Sequence, residues 1–279
     1  MAVRVCPLLA ASAVALAFTA PAAAAPPWVD RHITLPGGDV AFDAGVGVGH
    51  AHFGPVTVFP TGLPPVTQDQ DSTTTGINAE LAIGITDRVE VGARTGIRFG
   101  DAFDRQVRAD QYGRLFDRQT FGTGADTVAN PELRVRGAVV RHRVVEVALE
   151  GRLVLPIESG TDAGALFGAP LAFHLGRVAR LDTGAFVPVV FDHPTRAAIS
   201  VPVDLWLQAS RRLWLGPMSG VVVDGIGGPG NLEGSMSLGF GLGYEITHYL
   251  DFKAMVLFPA LTRDDRSFGL GAGIELRIE

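Results

Sequence analysis

Cysteine is almost missing from this chain: among 279 residues there is one, Cys6. A single thiol excludes an intrachain disulfide and any thiolate metal cluster. A basic excess is missing too. The formal charge is −6, which leaves no electrostatic footprint for nucleic acid. Although 47% of the residues are hydrophobic, no run after residue 25 reaches the ~18 consecutive apolar residues of a membrane helix. A helical membrane bundle is therefore excluded. Tryptophan and tyrosine number only three each, so each one inside a regular element marks a position.

The chain opens with Arg4, an apolar run from Val5 to Phe18 and a small-residue stretch from Pro21 to Ala25. These are the three parts of a secretory signal peptide, too short to cross a bilayer as a helix. The Ala22-x-Ala24 pair places cleavage after Ala24, and Cys6 would leave with the signal. The expected organisation is a signal peptide over 1–24, an N-terminal lead-in over 25–39 and one undivided β domain over 40–279.

Beyond the lead-in, period-2 alternation dominates. Val40, Phe42, Ala44, Val46 and Val48 share one face, while Ala41, Asp43, Gly45, Gly47 and Gly49 share the other. About twelve such runs recur to the C-terminus, each near the ~10 residues that a tilted membrane strand needs. The first three are expected over 40–52, 75–85 and 89–99. Connections alternate between tight ones ("TDR", "RHR", "GRVAR", "SRR", "THY") and longer ones, above all 53–74 and 100–130. An even strand number, alternating connection lengths and both ends on one side describe an antiparallel transmembrane β-barrel with short periplasmic turns and longer extracellular loops. Closure is required because no open sheet edge survives in hydrocarbon. The competing arrangement is a secreted β-sandwich with the apolar face turned inward. Regular strand length, loop alternation and glycine on the polar face favour the barrel, as does the ending Gly273-Ile274-Glu275-Leu276-Arg277-Ile278, which resembles the C-terminal signal of outer-membrane barrels without its terminal aromatic.

The polar face carries the charges, expected as pore-lining residues: Glu80, Glu90, Arg94, Arg98, Glu132, Arg134, Arg136, Glu146, Glu150, Arg152, His174 and Asp182. A turn centred on Asp87 sets Glu80 opposite Arg94. One centred on His142 sets Glu132 opposite Arg152 and Arg134 opposite Glu150, and the "GRVAR" turn opposes His174 and Asp182. Opposite charges facing across strands stabilise a sheet. Arg98, Arg136, Glu90 and Glu146 are left without an evident partner. The pairs are open to two readings, a plain polar lining or a field that selects solutes; the excess of inward acids over bases predicts a weak cation preference in an open pore.

Trp206 and Trp214 fall on the inner face, with Gln208 opposite Trp214, either as lumen filling or as a wall for aromatic or acyl solutes. Loop 100–130 repeats "FDRQ" at 103–106 and 116–119, which suits either an inward-folded lid or a packed surface loop. His50-x-His52 offers two imidazoles without a third ligand, so no metal site is expected. No catalytic constellation, nucleotide loop or cofactor motif appears.

"ITDRVEVGART", "NPELRVRGAVV", "EGRLVLPIESGT" and "GLGYEITHYLDFKA" together resemble a group of Gram-negative outer-membrane barrels of the phenol-degradation (MetA-type) pathway or putative transporter family. The resemblance spans roughly 75–279. It implies an outer-membrane barrel passing small, often hydrophobic compounds, and no catalytic residues. The expected function is thus a channel or facilitator for small solutes, hydrophobic or aromatic ones among them, embedded in outer-membrane lipid, with no cofactor and no nucleic acid. A closed structural or adhesive barrel and an outer-membrane lipid hydrolase are the alternatives. Oligomeric state is not legible.

Overall fold

The computed structural model describes residues 27–58, 66–100, 108–109, 115–116, 127–157, 162–191, 193, 195–226, 232–258, 261 and 267–279. The expected signal peptide lies outside these residues. A short 3-10 turn, Trp28–Asp30, precedes the strands β1 (Val40–Val58), β2 (Val66–Thr86), β3 (Val89–Gly100), β4 (Arg108–Ala109), β5 (Leu115–Phe116), β6 (Thr127–Arg141) and β7 (Val145–Val154). Then follow β8 (Gly164–Leu175), β9 (Ala179–Val190), β10 (Arg196–Gln208), β11 (Leu213–Ile226), β12 (Glu233–Thr247), β13 (Leu250–Phe258) and β14 (Phe268–Ile278).

Twelve of these strands close an antiparallel barrel: each pairs with its neighbour in the chain, β3 pairs with β6, and β14 returns to β1. The pair β4–β5 is a separate two-stranded ribbon within the long connection 101–126. The rest of that connection, including most of both "FDRQ" repeats and hence the expected lid, falls outside the described residues. The connection 53–74 is shorter than its sequence suggests, because β1 and β2 keep pairing past it as far as Val58 and Val66.

Alternation sorts the side chains as a barrel in lipid requires. Leu133, Val135, Leu149, Phe167 and Val221 stand outward and exposed, while Glu132, Arg134, Ala148, Glu150 and Phe186 point inward and are buried. A sandwich would hide the first set and expose the second. Among the described residues no helix is long and apolar enough to cross a membrane, and the strands carry the apolar surface instead.

Register follows the turns, with one consistent departure. On β2–β3, Glu80 faces Arg94. On β6–β7, Arg136 faces Glu150, Arg134 faces Arg152 and Glu132 faces Val154. The expected facings Arg134–Glu150 and Glu132–Arg152 are therefore displaced by two residues. The cause is the turn, which closes between His142 and Val145 and tips at Arg143 and Val144 instead of His142. This shifts partners by three, and a bulge at Val139, where the ladder steps from Val140–Val147 to Ala138–Ala148, takes back one. A bulge adds one residue to one strand only. Because the displacement is even, every charge stays on its inner face. The same error affects β8–β9, where His174 faces Arg180 and Asp182 faces Ala172: the turn is Gly176–Val178, and Arg180 belongs to the strand. Gly176 adopts φ +68° there, a conformation that costs glycine little.

Candidate functional site: a lumen crossed by the N-terminal segment

Residues 27–39, within the expected lead-in, lie inside the barrel. They run through the lumen at the turn end, in extended form after the short 3-10 turn, with Val29, Arg31, Ile33, Thr34 and Leu35 buried. No backbone ladder holds residues 28–35; inward side chains do. His174 Nδ1 donates to the Val29 carbonyl at 2.7 Å, Arg180 Nη1 to the Arg31 carbonyl at 2.6 Å and Arg136 Nη1 to the Ile33 carbonyl at 2.9 Å. In the other direction the Ile33 and Leu35 N–H groups donate to Glu146 and Glu90, each at 2.9 Å. The segment's own charges complete the docking: Arg31 pairs with Asp251 on β13, and His32 with Glu146 on β7.

These contacts span the lumen from β13 across to β2. There the chain turns at Gly38, whose φ of +96° suits glycine, and exchanges backbone bonds with Gly84: Gly38 N–H to the Gly84 carbonyl at 2.8 Å and Gly84 N–H to the Asp39 carbonyl at 2.9 Å. A Cβ on Gly84 would collide with the Pro36 carbonyl, so this close approach requires glycine. Hydrogen bonds to charged partners are worth roughly 1.5–3 kcal/mol each where they replace water. Four of them, together with the His174 bond, on the seven residues Val29–Leu35 make a specific seat.

The segment accounts for most of the charges that seemed partnerless. Glu90 accepts from Leu35 and pairs with Arg134 at 2.6 Å; Glu146 accepts from Ile33 and pairs with His32 and, at 3.5 Å, with His174. Arg136 pairs with Glu150 at 2.6 Å besides holding Ile33. Glu90, Glu146 and Arg136 are thus not unpaired. The side chain of Arg98 lies outside the described residues.

The remaining charges form a chain of ion pairs. Glu150 also accepts from Arg152 at 2.8 Å, and Arg152 reaches Glu132 diagonally at 3.1 Å. Arg134 spans Glu80 at 2.8 Å as well as Glu90. Glu80 therefore faces Arg94 but bonds to Arg134 on β6, and Arg94, half-buried, has no carboxylate within ion-pairing distance among the described residues. Asp182 pairs with Arg180 at 2.7 Å rather than with His174. Near the seam, Lys253 bridges Asp43 at 3.3 Å and Glu275. Arg180 and Arg31 are the inward bases that strand and turn spacing failed to assign.

Trp206 and Trp214 stand inward on β10 and β11, buried with Met218 and Val29. A third ring joins them from the crossing segment. Trp28 stacks on Trp214 with centroids 5.4 Å apart and planes 10° from parallel, and meets Trp206 edge-on at 5.2 Å. Arg180 lies over Trp28 at 5.0 Å and Arg31 over Trp214 at 5.9 Å. A cavity of about 310 Å³ adjoins this cluster. Its walls include Trp28, Trp206, Arg94, Arg134, Gly47, Gly49 and Gly271.

His50 Nδ1 contacts the Thr73 hydroxyl at 3.0 Å and its ring lies 5.5 Å from Phe268. No group of three or more metal-ligating side chains occurs among the described residues.

No protein-family model and no curated protein matches the chain. Solved structures do. An outer membrane channel from Pseudomonas putida F1 superposes with a TM-score of 0.61 at 13% identity, over 88% of this chain and 97% of that one. The NanC porin follows with a TM-score of 0.53 at 6% identity, over 83% and 98%. The fold is that of an outer-membrane β-barrel. At such identities the likeness extends to the fold alone, and the lumen must be read from its own residues.

Proposed function

We propose that this protein is an outer-membrane channel for small solutes, closed in its resting state by its own N-terminal segment. The observation that carries the reading is the seat of residues 27–39: inward charges on β3, β6, β7, β9 and β13 are spent on holding one extended segment across the lumen. In this reading the tight turns face the periplasm, the longer connections face outward, and the exposed apolar belt meets outer-membrane lipid. A solute entering from the loop end passes a lumen walled by glycine, Met255 and Leu257, then the arginines around Arg94, and is stopped by the segment. Small hydrophobic or aromatic solutes suit the apolar stretch, in keeping with the resemblance of the hairpins to phenol-degradation barrels.

A crossed lumen equally suits a closed barrel that presents its loops to partners. Single-channel recording in planar bilayers separates the two. A channel gives discrete steps, brief and rare while the segment is seated. No steps over many insertions would leave the structural barrel.

A further inference from the structure

We propose that the slot between Trp206 and Trp214 is a binding site for a planar aromatic solute, and that Trp28 occupies it as an intramolecular stand-in. The proposal deepens the channel reading, on which its consequence for transport rests. The slot is built in place without Trp28. Trp214 lies against Gly243 and Trp206 against Gly241, and a Cβ at either glycine would overlap the ring, so both rings are set flat into notches of β12. Met218, fully buried, backs them. These walls belong to strands locked in the barrel ladder.

Trp28 differs in kind. It sits on the crossing segment, is only partly buried, and borders the cavity that a solute would enter. Its contacts are those any planar aromatic of similar size makes: a near-parallel face on Trp214, an edge on Trp206 and the Arg180 guanidinium over the ring. Stacking and cation–π attraction require a π face and do not require an indole attached to this chain. The slot also holds a donor that Trp28 leaves unmatched, because Trp206 Nε1 is buried without an acceptor among the described residues.

A ring delivered by a short tether acts at an effective concentration of order millimolar. A free aromatic at comparable concentration can therefore take its place. Exchange would release Trp28, and with it the first anchor of the segment, beside Val29 and its bond to His174. Aromatic solutes would in this way loosen the closure that bars them, whereas saturated ones would not.

The test uses the full chain, folded in detergent, with Val29→Cys as reporter, since Val29 is wholly buried in the seated segment. Indole should raise the rate of modification by a bulky thiol reagent about tenfold at about ten times its dissociation constant. Cyclohexanol should leave the rate unchanged. Trp214→Ala should abolish the indole effect, and Trp214→Phe should keep it. Heat-modifiable migration checks that each variant is folded, and Leu35→Cys serves as reporter if Val29→Cys does not fold. No acceleration by indole, equal acceleration by cyclohexanol, or an indole effect that survives Trp214→Ala would each overturn the proposal. Labelling needs no ion flow, so accelerated labelling with silent bilayers would keep the site and remove the channel. Steps without accelerated labelling would do the reverse.

Discussion

On β1 and β14 the inward positions Gly45, Gly47 and Gly49 face Gly273, Gly271 and Gly269 across the seam that closes the barrel. A Cβ added at Gly49 would meet nothing within 4 Å, and one at Gly271 would make only ordinary contact with Met255. On β12 the inward Gly241 and Gly243 occur in the same alternating pattern, yet each is filled to its surface by a tryptophan ring. The two walls share a composition and differ in packing. Around Gly49 and Gly271 the seam keeps space open, whereas β12 makes room for large neighbours. The ion-pair ladder from Glu80 to Arg152 starts on β2, beside the seam, and runs through β3 and β6 to β7, where it helps to anchor the crossing segment.

The largest loss should come from Glu150→Ala, in the ion-pair ladder. That change strands Arg136 and Arg152, both buried, and breaking a buried pair costs about 3–5 kcal/mol; the denaturant midpoint of the folded barrel should fall accordingly. Gly243→Leu should cost about 1–3 kcal/mol by overpacking against Trp214, visible as loss of heat-modifiable migration and a shift in tryptophan fluorescence. Gly84→Ala acts at the root of the segment. It should leave the barrel folded within about 1–3 kcal/mol while displacing Pro36, and a bilayer recording should show longer open times. Smallest in stability should be Gly49→Leu on the open wall, within about 0.5 kcal/mol, with its effect confined to smaller conductance steps. Equal destabilisation by Gly49→Leu and Gly243→Leu would erase the distinction between the walls.

Strand faces and closure were legible because period-2 alternation and turn spacing are local properties. The facing of Glu80 and Arg94 was legible too, since the bulge in that hairpin lies between Gly84 and the turn and leaves the deeper pairs in step. The β6–β7 facings were not, because nothing in "RGAVVRHR" shows that the turn tips at Arg143 and Val144 or that a bulge at Val139 takes back one residue. Counting Arg180 into a turn hid it for a similar reason. The crossing segment was the larger omission. Its bonds reach residues more than a hundred positions away, as from Ile33 to Glu146 and from Arg31 to Asp251, and it joins no ladder whose period could reveal it. A signal was present nonetheless. The expected register left Glu90, Glu146 and Arg136 without an evident partner, and inward charge in excess of its evident partners is costly enough to demand others. Strand neighbours supply some of them and the segment the rest. The alternation Val29, Arg31, Ile33, Leu35 then marks where to look.

The central claim, that residues 27–39 close the lumen, is tested most directly by joining the segment to the wall and releasing it in the same molecule. Ile33 packs on Ala148 inside the barrel, and the chain beyond residue 24 contains no cysteine, so Ile33→Cys with Ala148→Cys introduces one crosslink and no competing thiol. In planar bilayers the oxidised protein should be silent, and a reductant added on the turn side should start discrete conductance steps. Steps of the same size and frequency in the oxidised and reduced protein would contradict the account.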